Sequence, residues 1–246
     1  MSSNILKIEG LKVEADGKLI IDDFSLTIKS GETHVIMGPN GSGKSTLCYA
    51  LLGHPKYKIV AGKASFNGED LLEMSTDQRA KAGIFLGFQY PKEVPGITFG
   101  NFLRKAANLQ SEKQASASEF IKKAAEVLEE VHLDRKFIGR GLNEGFSGGE
   151  KKRAEIAQMA VIKPKIAILD EVDSGLDIDS LKITAESIGQ QQKKLGMGLL
   201  LITHYQRLLN YLPTDFVHIM VKGRLVKSGG KELVVELEKD GYKNYL

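Results

Sequence analysis

The sequence predicts an α/β fold with a mainly parallel core sheet, an antiparallel β flank and an inserted helical subdomain. Three observations predict it. A short apolar run, His34-Val35-Ile36-Met37, leads through a glycine-rich loop into a helical stretch, Thr46-Leu47-Cys48-Tyr49-Ala50-Leu51-Leu52. Ile166-Ala167-Ile168-Leu169 and Leu199-Leu200-Leu201-Ile202 have no polar face, as expected of parallel strands covered on both sides. From about residue 98 to 160 the apolar residues recur at helical spacing. With 246 residues, one α/β domain carrying an inserted lobe accounts for the chain.

The elements follow in order. Leu6 and Ile8 alternate with Lys7 and Glu9, and Phe24, Leu26 and Ile28 alternate with Ser25, Thr27 and Lys29, so both stretches read as strands. Ala15-Asp16-Gly17-Lys18 turns the first of them, and Ala64 to Asp70 reads as a further strand and turn of the flank. Ile84-Phe85-Leu86-Gly87-Phe88-Gln89 is a short apolar run, after which Tyr90-Pro91 and Pro95-Gly96 break regular structure. In the lobe, Phe120, Ile121, Ala124, Ala125, Leu128 and Val131 mark a helix that Ser116 and Glu119 open as a capping box. Ser147 and Glu150 repeat that box before a helix containing Ala154, Ile156, Ala157, Met159 and Ala160, and Pro164 closes the lobe. A helix from Ser180 to Lys194 joins the two buried apolar strands. Val217 to Val221 and Arg224 to Val226 form a hairpin through Lys222-Gly223, before a charged last helix. The expected division is a core of residues 1–90 and 161–246 and an inserted helical subdomain of residues 91–160.

Composition excludes several classes of function. The net charge of +3, from 34 basic and 31 acidic residues, argues against nucleic acid or an anionic membrane as partner. The single cysteine, Cys48, excludes an intrachain disulfide or a cysteine metal cage and fits a reducing compartment, cytoplasmic or an equivalent such as a plastid. Cys48 reads as a buried hydrophobe. No apolar run reaches the roughly 18 residues of a membrane span, and Met1-Ser2-Ser3-Asn4 lacks the apolar core of a signal peptide. The expectation is a protein with no direct membrane insertion.

Gly38-Pro39-Asn40-Gly41-Ser42-Gly43-Lys44-Ser45 matches the phosphate-loop pattern G-x-x-x-x-G-K-[ST] at every fixed position, between a strand and a helix. Glycines at 38, 41 and 43 let consecutive N–H groups turn inward to phosphate oxygens, and the helix N-terminus adds positive potential. With Thr46, these residues are the candidate ATP contacts. Lys44 reaches the β- and γ-phosphates and Ser45 binds Mg²⁺. Asp170 and Glu171 end an apolar strand, where open α/β sheets gather ligand-binding groups. Asp170 is the second Mg²⁺ candidate, and Glu171 is the candidate base that polarises the attacking water.

The phosphate loop, Gln89, Ser147-Gly148-Gly149-Glu150, Asp170-Glu171, Ser174-Gly175-Leu176-Asp177 and His204 occur in the order and spacing of the ATP-binding-cassette ATPases, which the chain resembles over nearly its whole length. The resemblance implies a P-loop NTPase of ABC-ATPase type that hydrolyses ATP with Mg²⁺. It implies that Gln89 reaches the metal and the water, that His204 contacts the γ-phosphate and that Asp177 couples two subunits' sites. Ser147, Gly148, Gly149 and Glu150 would act in trans, gripping the γ-phosphate of a second copy in an ATP-dependent transient homodimer.

Four flanks depart from transporter ATPases and are similar to the SufC branch, which serves iron-sulfur cluster assembly. They are Gly87 to Pro91, Gly145 to Arg153, Leu169 to Asp179 and Thr203 to Arg207. Phe146 stands where transporters generally have Leu, and Val172-Asp173 where they have Pro-Thr. This likeness implies SufB-SufD-type scaffold proteins as partners; the alternative is the ATPase subunit of an ABC membrane transporter, and a switch with negligible turnover is a third reading. Two further expectations concern the site. Glu14-Ala15-Asp16-Gly17 offers no aromatic to stack adenine, and one of Lys151, Lys152 and Arg153 pairs with Glu171 at rest.

Overall fold

The computed structural model describes residues 4–109 and 116–245; the start at Met1 to Ser3 lies outside them. The elements are β1 (Ile5–Ala15), β2 (Lys18–Lys29), β3 (Thr33–Met37), α1 (Lys44–Leu51), β4 (Tyr57–Phe66), β5 (Glu69–Asp70), α2 (Thr76–Ala82) and β6 (Ile84–Gly87). They continue with β7 (Val94–Thr98), α3 (Phe99–Leu109), α4 (Ala117–Glu130), β8 (Gly141–Leu142) and α5 (Gly148–Ile162). The chain ends with β9 (Ile166–Asp170), α6 (Ile178–Leu195), β10 (Gly198–Ile202), β11 (Phe216–Val221), β12 (Arg224–Gly229) and α7 (Glu232–Asp240).

Six strands form the main sheet in the order β12-β11-β3-β10-β9-β6, parallel except for β12. A second, antiparallel sheet runs β2-β1-β4-β5. The unbroken apolar strands are explained by two cores, one on each face. In β9, Ala167 and Leu169 enter the core built with α3 to α6, whereas Ile166 and Ile168 enter the core shared with α1 and the antiparallel sheet. Leu199 and Leu201 of β10 divide from Leu200 and Ile202 in the same way. Because side chains alternate along a strand, burial on both faces demands an apolar residue at every position.

Both expected capping boxes form, Ser116 with Glu119 and Ser147 with Glu150. Three expectations are corrected. The strand expected from Ala64 begins at Tyr57: residues 57–60 alternate half-buried and exposed, with Tyr57 and Ile59 packed on the core, but the exposed Ala61, Gly62 and Lys63 interrupt that pattern before Ala64. Pro95-Gly96, expected to break structure, lies within β7, which pairs with the two-residue β8 inside the helical stretch. Ile121 is 43% exposed, although Phe120, Ala124 and Leu128 of the same helix, and Val131 at its C-cap, are buried as expected.

Candidate active site

The carboxyl ends of β3, β10, β9 and β6 are neighbours in the main sheet, and the chain leaves them through the phosphate loop, Thr203-His204, Asp170-Glu171 and Gln89 respectively. Strand order therefore assembles groups far apart in sequence. Gly38 is required by proximity: a Cβ there would stand 2.1 Å from the Met220 carbonyl oxygen on β11. Gly43, at the N-cap of α1, has φ 103°, a conformation closed to residues with a Cβ.

Lys44 is buried and folds back over the loop, donating to the carbonyls of Gly38 at 2.9 Å and Pro39 at 3.0 Å. Burial lowers its pKa, while the charges of Glu171 and Asp170 oppose that shift. Ser45 donates its hydroxyl to Asp170 Oδ1 at 3.1 Å. The other oxygen, Asp170 Oδ2, is buried without a hydrogen-bond partner among the described residues, and burial pushes this carboxyl up to about 6. A hydroxyl and a carboxylate with a free oxygen are the hard oxygen donors that Mg²⁺ selects, so the residues present fit the metal.

Glu171 has φ 44°, and its N–H donates to the Ile202 carbonyl at 2.9 Å, which turns the residue away from the line of β9. Its carboxylate accepts from Gln89 Nε2 and sits 2.8 Å from His204 Nε2. Burial lowers the pKa of His204, the Lys44 charge lowers it further, and Glu171 opposes both. Asn40, Lys44, Ser45, Thr46, Glu171 and His204 line a common pocket of about 220 Å³.

The expected rest partner of Glu171 is overturned. Lys151 pairs with Glu93 at 3.2 Å, and Lys152 donates to the carbonyls of Phe88, at 2.7 Å, and Gln89. Gln89 and His204 hold Glu171 instead. Side-chain direction decides this: Lys152 is buried on the inner face of α5, where two backbone acceptors already lie.

The signature residues do not line the pocket. Ser147 caps α5, accepting from Glu150 N at 3.3 Å, and Gly149 packs beside Ser180 at the start of α6. Asp177 caps α6, accepting from Ser180 N at 2.7 Å. Glu14 to Gly17 form the end of β1 and its turn, where Asp16 pairs with Lys56 at 3.2 Å. Sequence reasoning missed Thr203, which is fully buried and donates its hydroxyl to Asp173. A threonine directly after an apolar strand was the available signal.

Comparison with known proteins resolves the family. The model of the family described as "ABC transporter" matches residues 21–174. The chain belongs to the ABC transporter family. It is an ATPase of that family. "Vegetative protein 296" of Bacillus subtilis (strain 168) is 52% identical to it, covering 98% of this chain and 93% of that protein. "Probable ATP-dependent transporter slr0075" of Synechocystis is 49% identical over 98% of this chain and 96% of its own length. Among solved structures, the dimeric post-hydrolysis state of the ATP-binding cassette MJ0796 bound to ADP and Pi matches with a TM-score of 0.80 at 21% identity, covering 92% of this chain and 98% of that one. That likeness establishes the shared α/β cassette fold. Among the described residues, no helix is long and apolar enough to cross a membrane.

Proposed function

We propose that this chain is the ATP-hydrolysing subunit of a Suf-type iron-sulfur cluster assembly machinery, pairing with a second copy on ATP to remodel a SufB-SufD-type scaffold. One observation carries the reading: the flanks that depart from transporter ATPases touch one another. Lys152, in the second flank, donates to the carbonyls of Phe88 and Gln89 in the first. Asp173, in the third, accepts from Thr203 in the fourth. The four flanks thus form two contacting pairs beside Glu171, and Asp173, one of the named departures, lies in the second; this supports reading them together.

In this reading residues 91–160 form the inserted helical subdomain, and residues 38–46 bind ATP. The loop N–H groups and Lys44 hold the phosphates. Ser45 and Asp170, with Gln89, would hold Mg²⁺, which would neutralise charge on the phosphate oxygens. Glu171 accepts a proton from a water whose oxygen bonds to the γ-phosphorus while the bond to the β–γ bridging oxygen breaks, giving ADP and phosphate. His204 orients the γ-phosphate. To act, Glu171 leaves one of its two present partners for the water. Ser147 to Glu150 complete the partner copy's site through the α5 N-terminus, and Asp177 links the two sites. A cytoplasmic or plastid-like reducing compartment suits a chain whose one cysteine is buried.

The second reading, an ATPase subunit of a membrane transporter, is favoured by the family's description and by the name of the Synechocystis relative. Affinity purification of the chain from its native cell, followed by identification of the bound proteins, separates the two. Recovery of scaffold subunits is expected; recovery of a membrane permease would overturn the assembly reading.

A further inference from the structure

The chain enters the signature segment through a turn that one arginine holds. Arg140 follows the short helical turn Arg135–Gly139, and its guanidinium reaches forward along the chain. Nη2 donates to the carbonyls of Glu144, at 2.9 Å, and Gly145, at 3.0 Å, the last two residues before Phe146 and Ser147. The same group sits over two rings, with Cζ 4.9 Å from the centroid of Phe137 and 5.0 Å from that of Phe146. Both rings are buried and meet edge to face at 4.6 Å, and Phe99 meets Phe146 edge to face at 6.2 Å.

The turn is shaped for this group. Gly145 has φ 62°, the left-handed conformation that favours glycine, and a Cβ there would stand 3.1 Å from Arg140 Nη2. The backbone of Arg140 is itself fixed, its N–H donating to the Phe137 carbonyl at 3.1 Å and its carbonyl accepting from Phe99 N at 2.8 Å. A guanidinium can satisfy carbonyls with its fork of donors while its flat face lies on aromatic rings; an ammonium presents no such plane. The Arg140 charge also acts at Glu150, whose carboxylate the Ser147 N–H chiefly holds below its usual range.

Arg140 does not line the phosphate pocket, so its effect on the chain's own nucleotide is remote. We propose that Arg140 is a positioning residue for the partner copy's reaction. It fixes the turn from Glu144 to Phe146 so that Ser147 and the N–H groups at the start of α5 point at the second copy's γ-phosphate. This rests on the composite-site reading. Phe146 belongs to the same device, because the Leu that transporters generally have there would leave the guanidinium with one stacking ring instead of two. A turn that is not held lets Ser147 shift, and small misplacements of groups around a reacting phosphate have large effects.

The test introduces Arg140→Gln, Arg140→Lys and Phe146→Leu separately into a Glu171→Gln background. Sedimentation velocity with ATP reports the dimer, and nucleotide titration at concentrations below the dimer's dissociation constant reports ATP affinity in the monomer. Both Arg140 variants are expected to dimerise about tenfold more weakly, the scale of the charge-assisted hydrogen bonds lost, with unchanged ATP affinity in the monomer. Phe146→Leu is expected to weaken the dimer about threefold, the scale of one exposed cation–π contact. Added to Arg140→Gln it should cost little more, since residues that act as a unit are not additive. Misfolding would lower monomer ATP affinity together with dimerisation, so the two readouts separate it from misplacement, and Phe146→Leu supplies a second variant with a conservative side chain. Parent-like dimerisation in Arg140→Gln or Arg140→Lys, ATP affinity falling with dimerisation in all three variants, or additive effects of the two positions would each overturn the proposal. A parent that stays monomeric with ATP would overturn the composite-site reading and the role of Arg140 with it, whereas a dimeric parent with undisturbed variants overturns the role of Arg140 alone.

Discussion

Thr203 donates its hydroxyl to the buried carboxylate of Asp173, tying the segment that carries Glu171 and Asp177 to the loop that carries His204. The same hydroxyl accepts the Tyr205 N–H at 2.8 Å, and Glu171 N donates to the Ile202 carbonyl at 2.9 Å. Among the described residues Asp173 Oδ1 has no hydrogen-bond partner, and Thr203 is the side-chain donor to this carboxylate.

Thr203→Val should therefore cost about 1–3 kcal/mol of stability, the usual penalty for stranding a buried polar group. Turnover should fall roughly tenfold or more, since small misplacements of catalytic groups have large kinetic effects. Thr203→Ser restores the hydroxyl and should recover most of both. Urea unfolding and steady-state ATPase assays on the two variants check this; equal loss in both would mean that the methyl group, not the hydroxyl, matters.

Glu171→Gln keeps the side chain's size but cannot take the water's proton. ATP binding should persist while hydrolysis slows by about 10²-fold or more, the usual scale for a general base. Nucleotide-binding titrations alongside single-turnover hydrolysis separate the two effects. Near-normal turnover would remove Glu171 from the role.

Ser147→Arg puts a long cation at the N-terminus of α5, where Ser147 now satisfies the Glu150 N–H. The change removes the cap and fills the surface proposed to meet the second copy. In a Glu171→Gln background, light scattering with ATP should report a dimer for Ser147 and a monomer for Arg. A dimer in both would defeat the composite-site reading.

Much of the fold was legible because its signals are local. The phosphate loop, the two capping boxes and the apolar runs at 166–169 and 199–202 each declare themselves within a few residues. The missing parts depend on long-range partners. Lys152 meets Phe88 and Gln89 across more than 60 residues, and Thr203 meets Asp173 across 30. No spacing rule indicates that α5 turns Lys152 toward backbone carbonyls rather than toward Glu171. The first half of β4 failed for another reason: its alternation spans only Tyr57 to Val60, and the exposed Ala61, Gly62 and Lys63 separate it from Ala64, so the pattern does not read as one strand.

A buried histidine pair gives the last prediction. His34 Nδ1 and His218 Nε2 are 3.0 Å apart, with Glu32 at 3.2 Å from the far nitrogen of His34 and Ser228 at 2.8 Å from that of His218. Burial lowers the pKa of His218 from 6.5 to about 4, and the neighbouring His34 lowers it too. Between those values the unfolded chain binds a proton that the folded chain refuses. This contribution to stability is therefore complete above pH 6.5 and is lost as pH falls toward 4, by about 3 kcal/mol. Asp170 and Asp173, raised to about 6 by burial, act in the opposite sense, gaining stability as they protonate. The total pH dependence thus mixes signs, and a difference measurement isolates His218. His218→Gln keeps a donor toward His34 but does not titrate. Urea unfolding at pH 7.5 and pH 4.0 should show the stability gap between parent and variant shift by about 3 kcal/mol in the variant's favour at the lower pH. A gap independent of pH would mean that the folded protein accommodates the charged His218.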